Sequence, residues 1–290
     1  MTPISNDALA LPERHLFLSP HYDDIALSCG GTAARLRQLG RTPEVAIIFG
    51  SEPEAELGFT PFAAAMHAGW RMDASEVIAR RRAEEAVAAQ VLGTDVSFLP
   101  FHDAIYRGDR YLNDPELFGD IHVDEAGLPE GIISALDLRG AGTPSVRIYV
   151  PLAIGRHVDH QIAFHAGVAL QANGWSVWFY EDLPYALKPG LRTERIAGAG
   201  IGLEIGALVA VDGTWDAKID AVMSYPSQLA TIFSYVGSGS SRAEVEALLR
   251  GYAEEAGNGA AVERFWTGAA REPAFVRGHL TDFNIAPRLL

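Results

Sequence analysis

Apolar positions along the first two-thirds of the chain follow two alternating rhythms. Short apolar runs of strand length, at His15–Ser19, Val45–Phe49, Val96–Leu99, Val146–Val150 and Val177–Tyr180, are separated by stretches of helical spacing at Gly31–Leu39, Ala74–Leu92 and Gln161–Ala172. Strands of this kind alternating with helices predict an α/β fold, a mostly parallel sheet with helices on both faces. Gly40, Gly93 and Gly174 stand just past the three helical stretches, where a left-handed residue closes a helix. An apolar run at Ala207–Val211 and a helix over Thr214–Ser224, ended by Pro226, follow; Ser234–Ser241, rich in Gly and Ser, is expected to be mobile. Ser51–Asp73 and Tyr106–Gly131 have no clear period and are expected to be long loops beside the functional site. With no repeat and no linker, residues 1–290 are read as a single domain with a flexible start over residues 1–13.

Composition narrows the classes. Hydrophobic residues make up 48% of the chain and charged ones 21%, which suits a folded core and not a disordered segment. A formal net charge of −14 argues against a nucleic-acid partner, which needs clustered Lys and Arg. One cysteine, Cys29, excludes a disulfide framework and a cysteine zinc cluster, and fits a reducing, cytoplasmic setting; it reads as a small buried apolar residue. The first residues lack a basic start and an apolar core, so no signal peptide is expected, and no apolar run has the length of a membrane span.

Chemistry concentrates at two places, each just after a strand run. The first is Ser19-Pro20-His21-Tyr22-Asp23-Asp24, leading into Gly30-Gly31; the second is Gly155-Arg156-His157-Val158-Asp159-His160. Each alone has a plain structural reading, as an Asx-capped turn or a helix cap. Together, on two parallel strands, they fall on one edge of the sheet, where α/β proteins bind ligands. His21, Asp24 and His160 can then converge as a two-histidine, one-carboxylate metal site with open positions, and Asp23 can serve as general base to a water. The other histidines (His15, His67, His102, His122, His165 and His279) read as structural or exposed.

These residues resemble the PIG-L/LmbE family of metal-dependent N-deacetylases. Its first motif, His-x-Asp-Asp followed by Gly-Gly, is met by His21–Asp24 and Gly30-Gly31, and its second, His-x-Asp-His, by His157–His160. Arg81-Arg82-Ala83-Glu84-Glu85, Glu181-Asp182-Leu183-Pro184-Tyr185 and Lys218…Tyr225-x-Ser227-Gln228 resemble further family segments in the expected order. The resemblance implies a Rossmann-like fold and hydrolysis of an N-acetyl group from a small molecule containing N-acetylglucosamine. It makes His21, Asp24 and His160 the ligands of Zn²⁺, Fe²⁺ or another divalent ion, and Asp23 the base. It makes protonated His157 the oxyanion donor or acid, with Asp159 orienting it, and Arg81 and Asp103 substrate contacts.

Alternatives stand beside these roles. Arg81 and Glu84 can form a surface ion pair; Lys218, Ala221 and Tyr225 fit a packing face. Trp70, Trp175, Trp178, Phe59 and Phe62 fit a core, although Trp70 can also stack on a sugar. Tyr22 and Ile25 replace the family's commoner proline and glutamate, and Gly155 stands where some members have a tyrosine, so an oxyanion donor of that kind comes from elsewhere or is absent. The rival functions are a metal amidase on another acyl or thiol conjugate and a non-catalytic sugar binder. A two-metal phosphoesterase needs more acids than the chain places here. The oligomeric state is left open.

Overall fold

The computed structural model describes residues 2–53, 58–72, 76–138 and 145–269. Part of the segment 51–73, the start of the helix expected from Ala74, and His279 lie outside these residues. Seven strands form one sheet: β1 (Arg14–Ser19), β2 (Glu44–Ile47), β3 (Asp95–Phe98), β4 (Val146–Pro151), β5 (Ser176–Tyr180), β6 (Gly202–Ala210) and β7 (Val262–Ala269). Their order is β3-β2-β1-β4-β5-β7-β6. The first five strands are mutually parallel, and β7 runs antiparallel to both β5 and β6. The chain therefore reverses direction across the sheet between β1 and β4, the switch point at whose carboxyl end α/β folds open a crevice.

The helices are α1 (Asn6–Ala10), α2 (Asp24–Gln38), α3 (Pro61–Trp70), α4 (Val77–Leu92), α5 (Asp114–Leu117), α6 (Leu128–Ala135), α7 (Val158–Ala172), α8 (Leu191–Ala197), α9 (Trp215–Val222), α10 (Leu229–Ser234) and α11 (Arg242–Ala256). Helix α2 packs against α4 and α9, and α7 packs against α6 and strands β4 and β5. All five expected parallel strands form within a residue or two of their expected bounds. Leu16, Phe17 and Leu18 of β1 and Ile148, Tyr149 and Val150 of β4 are buried, as the continuous apolar runs require.

Several elements depart from expectation for identifiable reasons. Helix α2 begins at Asp24 rather than Gly31, and α7 at Val158 rather than Gln161. Gly30 and Gly31 are poor helix formers, but tertiary packing dictates them: a Cβ on Gly31 would lie 2.7 Å from Val211, and one on Gly30 3.3 Å from Lys218. The stretches expected to be loops contain α3 and α5, each opened by a side-chain cap from Thr60 or Asn113 and a proline in the first turn. Helix α11, opened by a Ser241/Glu244 capping box, and strand β7 extend the fold beyond the expected elements.

Two distant sequence signatures turn out to be one lock. Glu84 on α4 accepts hydrogen bonds from the backbone N–H (3.0 Å) and hydroxyl (2.6 Å) of Ser227, and Glu85 accepts from the Tyr225 hydroxyl at 2.7 Å. Lys218 donates to Glu263 at 2.6 Å, and Glu263 also accepts the N–H groups of Gly31 (3.0 Å) and Thr32 (2.7 Å). Lys218 and Tyr225 are thus held by buried polar bonds and not by packing alone, and the bonds to Glu84 and Glu85 fix α4, which carries Arg81.

Candidate active site

The chain leaves β1 at Ser19, whose hydroxyl donates to the His21 carbonyl at 2.6 Å. The His21 N–H donates to Asp24 Oδ2 at 2.7 Å, which pins the turn just where α2 begins. Asp23 is the N-cap residue of α2 and Asp24 its first residue, so both carboxylates sit at the positive end of a long helix. At the end of β4 the same arrangement recurs: His157 is the N-cap residue of α7, and Asp159 and His160 follow in its first turn. All six side chains are buried, and the two motifs meet across the switch point.

Each of two histidines is held by a carboxylate on its outer nitrogen. His160 Nδ1 bonds Asp182 Oδ1 at 2.7 Å, and His21 Nε2 bonds Asp159 Oδ2 at 3.0 Å. A carboxylate only accepts, so these nitrogens carry the protons and the opposite ones, His160 Nε2 and His21 Nδ1, present lone pairs. Both face Asp24: His160 Nε2 lies 3.5 Å from Oδ1 and His21 Nδ1 3.6 Å from Oδ2. These separations are too long for hydrogen bonds, and His160 Nε2 is buried with no hydrogen-bond partner among the described residues. One donor atom from each of His21, Asp24 and His160 lies within 4.8 Å of the other two, close enough for the three to share a divalent ion.

The electrostatics agree with that geometry. Burial pulls the His21 imidazole down, but the charge of Asp103, the hydrogen bond that His21 donates to Asp159 and the charge of Asp24 outweigh it and hold the group up at about 9. His160 is likewise raised, with Asp24 and Asp182 overcoming burial. A pocket that pulls protons onto lone pairs aimed at one point is short of positive charge there, and the donor set suits a divalent cation. A second group, His21, His157 and Asp159, is also compact enough for an ion. Its atoms are already engaged: Asp159 Oδ2 accepts from His21 and from the Ala104 N–H at 3.0 Å, and Oδ1 lies 2.6 Å from Arg107. The residues thus fit an ion at His21, Asp24 and His160.

The remaining site residues surround this point. Asp23 faces the Arg81 guanidinium at 3.7 Å, and burial raises its carboxyl against that charge. Arg81 is itself buried, stacked over Tyr22 and Trp70, which excludes the surface ion pair with Glu84. Tyr22 donates to the Gly50 carbonyl at 2.6 Å, so the residue that replaces the family's commoner proline supports Arg81. Asp103 accepts the Ile105 N–H at 3.2 Å and lies 3.7 Å from His21 Nε2. His157 Nδ1 accepts the Asp159 N–H at 3.2 Å, and burial with the neighbouring His21 charge holds its pKa well below the usual value. The Asp159 N–H on Nδ1 leaves Nε2 as the His157 nitrogen that carries a proton. The Asp159 carboxylate turns to His21 and Arg107 rather than to His157, which it orients only through its backbone.

A cavity of 170 Å³ opens over this floor, with Met66 and Trp70 of α3, Leu117 and Phe118 at α5, and Thr231, Ile232 and Tyr235 at α10 as walls. Gly155 has φ +86°, and a Cβ there would lie 2.5 Å from the Tyr185 ring, so Tyr185, another cavity wall, leaves no room for a side chain at 155. Three contributors went unassigned in the sequence: Asp182, Arg107 and Tyr185. Asp182 carried a legible signal, since it follows an apolar strand run just as His21 does.

The model of the PIG-L family, described as GlcNAc-PI de-N-acetylase, matches residues 16–171, more than half of the chain. The chain belongs to the PIG-L family. It is 35% identical over 188 residues to a 2'-N-acetylparomamine deacetylase of Niallia circulans, covering 59% of this chain and 66% of that protein, just under two-thirds of its length. To the Streptomyces fradiae protein of the same name it is 32% identical over 222 residues, covering 74% of this chain and 73% of that one. Among solved PIG-L-type structures, a pseudoaglycone deacetylase superposes with TM-score 0.66 at 28% identity, covering 89% of this chain and 98% of its own. The zinc-inhibited form of a teicoplanin deacetylase gives 0.70 at 25% identity, covering 89% and 99%. Among the described residues no helix is long and apolar enough to cross a membrane.

Proposed function

We propose that this PIG-L protein is a metal-dependent hydrolase that removes the N-acetyl group from an N-acetylated amino sugar carried on a small molecule. The observation that supports it most is the buried, unpartnered His160 Nε2, aimed with His21 Nδ1 at Asp24 beneath a cavity. The names of its relatives supply the substrate class, headed by 2'-N-acetylparomamine and an antimicrobial pseudoaglycone. A single buried thiol keeps a cytoplasmic setting within this reading.

In this reading His21, Asp24 and His160 hold the ion, with zinc the first candidate and Fe²⁺ another. Bound there, a divalent ion polarises the amide carbonyl and lowers the pKa of water. Asp23, raised by burial toward the working pH, takes the proton of the attacking water and delivers it to the departing amine. His157 Nε2–H donates to the oxyanion as charge develops on it, a role that needs no protonated imidazole. Arg81 steadies the Asp23 carboxylate and, with Asp103, meets the sugar. Water adds to the carbonyl carbon, the C–N bond breaks, and acetate and an amine leave.

The test is amine release from a panel of N-acetylglucosaminides and 2'-N-acetylparomamine by zinc-reconstituted protein. Release by the wild type and not by Asp23→Asn supports the reading. Tight zinc binding without release from any acetyl substrate would point to another acyl group or to a sugar-binding role.

A further inference from the structure

The segment after Asp103 carries a buried arginine that the chemistry above does not use. Arg107 lies just beyond a 3₁₀ turn (Ala104–Tyr106), and its side chain is 9% exposed. Its Nε and Nη2 donate to the two carboxylate oxygens of Glu125 at 2.7 and 3.1 Å. Glu125 is held in turn by the Tyr111 hydroxyl at 2.8 Å, and Nη1 of Arg107 donates to the His102 carbonyl at 2.8 Å. The same Nη1 lies 2.6 Å from Asp159 Oδ1. A planar fork with both faces fixed in this way holds its partner in one orientation.

That orientation matters because Asp159 has two directions open to it. As a neighbour of His157 it could turn toward that ring, which is the arrangement the sequence suggested. Instead Oδ1 is drawn to Arg107, and Oδ2 accepts from His21 Nε2 and the Ala104 N–H. The hydrogen bond to Nε2 sets the tautomer of His21 and leaves its Nδ1 lone pair facing Asp24. We propose that Arg107 is a positioning residue for the metal centre: it locks the Asp159 carboxylate onto His21 and so ties the order of the 102–125 segment to ion binding. The inference rests on the metal-site reading above.

The experiment measures zinc affinity by chelator competition, together with kcat and KM, for Arg107→Lys, Arg107→Met, Asp159→Asn and the Arg107→Met/Asp159→Asn double variant. Circular dichroism establishes that each is folded. Loss of an outer partner of a metal-binding histidine typically costs about 10- to 100-fold in affinity. Arg107→Met is expected in that range, and Arg107→Lys, which keeps the charge but not the fork, part of the way. kcat should fall with affinity while KM for the sugar changes little. In the Asp159→Asn background Arg107→Met should change affinity by less than about two-fold, because the two residues act in one chain. Folded Arg107 variants that hold zinc as tightly as the wild type, or losses that add fully to those of Asp159→Asn, would overturn the inference. If Arg107→Met does not fold, Arg107→Lys decides alone. Zinc uptake by a His160→Ala variant equal to that of the wild type would instead sink the metal-site reading itself.

Discussion

Helix α2 carries buried charge at two levels, and only one of them is left incomplete. Half-way along it, Glu263 takes the Lys218 ammonium and the N–H groups of Gly31 and Thr32, so both of its oxygens are engaged. At its N-terminus Asp23 and Asp24 meet His21, His160 and Arg81 beside a cavity, and His160 Nε2 and Arg81 Nε are buried without partners. Both clusters sit on family signatures, and both bury ionisable groups at a cost that folding must offset. The difference is that one closes on itself and the other keeps polar atoms without partners among the described residues. Buried charge alone does not mark a site; buried charge with unmet valence facing a cavity does.

The largest effects should come from the incomplete cluster. Asp23→Asn is expected to keep the ion yet lower kcat by about 10²- to 10⁴-fold, the usual contribution of a general base. His160→Ala should lose both ion and turnover, read as metal content after gel filtration. An Asp23→Asn protein turning over at near wild-type rate would remove the distinction between the base and the ion's ligands.

Breaking the closed cluster should do the opposite. Lys218→Met leaves Glu263 buried beside apolar groups, and removing one partner of such a pair typically costs about 3–5 kcal/mol. The expected result is a large drop in the urea midpoint of the metal-free protein, with zinc affinity of the folded fraction unchanged. A matching loss of zinc affinity would show that the two levels of α2 are not independent.

The two ends of β1 sharpen the contrast through pH. His21 at one end is held up by acids, whereas His15 at the other lies beside Tyr149, and burial and the Arg147 charge lower it to about 4. A histidine whose folded pKa is depressed lends stability above its unfolded value of 6.5, and that stability is lost as pH falls from 6.5 toward 4. The full loss is about 3 kcal/mol at the lower limit. Urea midpoints of the wild type should therefore fall more steeply over this window than those of His15→Met. Parallel profiles would mean that His15 is not the group responsible.

What the sequence revealed divides along similar lines. His21, Asp24 and His160 were legible because each follows an apolar strand run, and strand ends in a parallel sheet share an edge. Arg107 was not, since its partner Asp159 is far along the chain and nothing local marks a buried guanidinium. The tautomer of His157 is set by the Asp159 backbone N–H on Nδ1, which no spacing encodes. Helix α2 looked shorter than it is because its glycines speak against helix locally, while Val211 and Lys218 require them. Helices α3 and α5 had caps and prolines in plain view, but their Gly- and Pro-rich surroundings resembled loops. Strand β7 joins the sheet antiparallel, outside the alternation that exposed the five parallel strands.

The smallest effect tests whether the outer carboxylates matter as much as the ligands they hold. Asp182 accepts from His160 Nδ1 at 2.7 Å and from the Ile154 N–H at 3.0 Å, so it fixes both the ring and the turn after β4. Asp182→Asn keeps the shape and the Ile154 bond but loses the charge that favours a proton on Nδ1 and a lone pair on Nε2. Zinc affinity should fall by about 10- to 100-fold, the usual cost of losing such a partner. The Lys218 cluster, which shares no atom with Asp182, should leave the metal-free urea midpoint close to wild type. If Asp182→Asn instead unfolds the protein at equal zinc affinity, then Asp182 belongs with Glu263 among the groups that complete the fold, and the boundary between the two clusters lies closer to the ion than the His160 geometry implies.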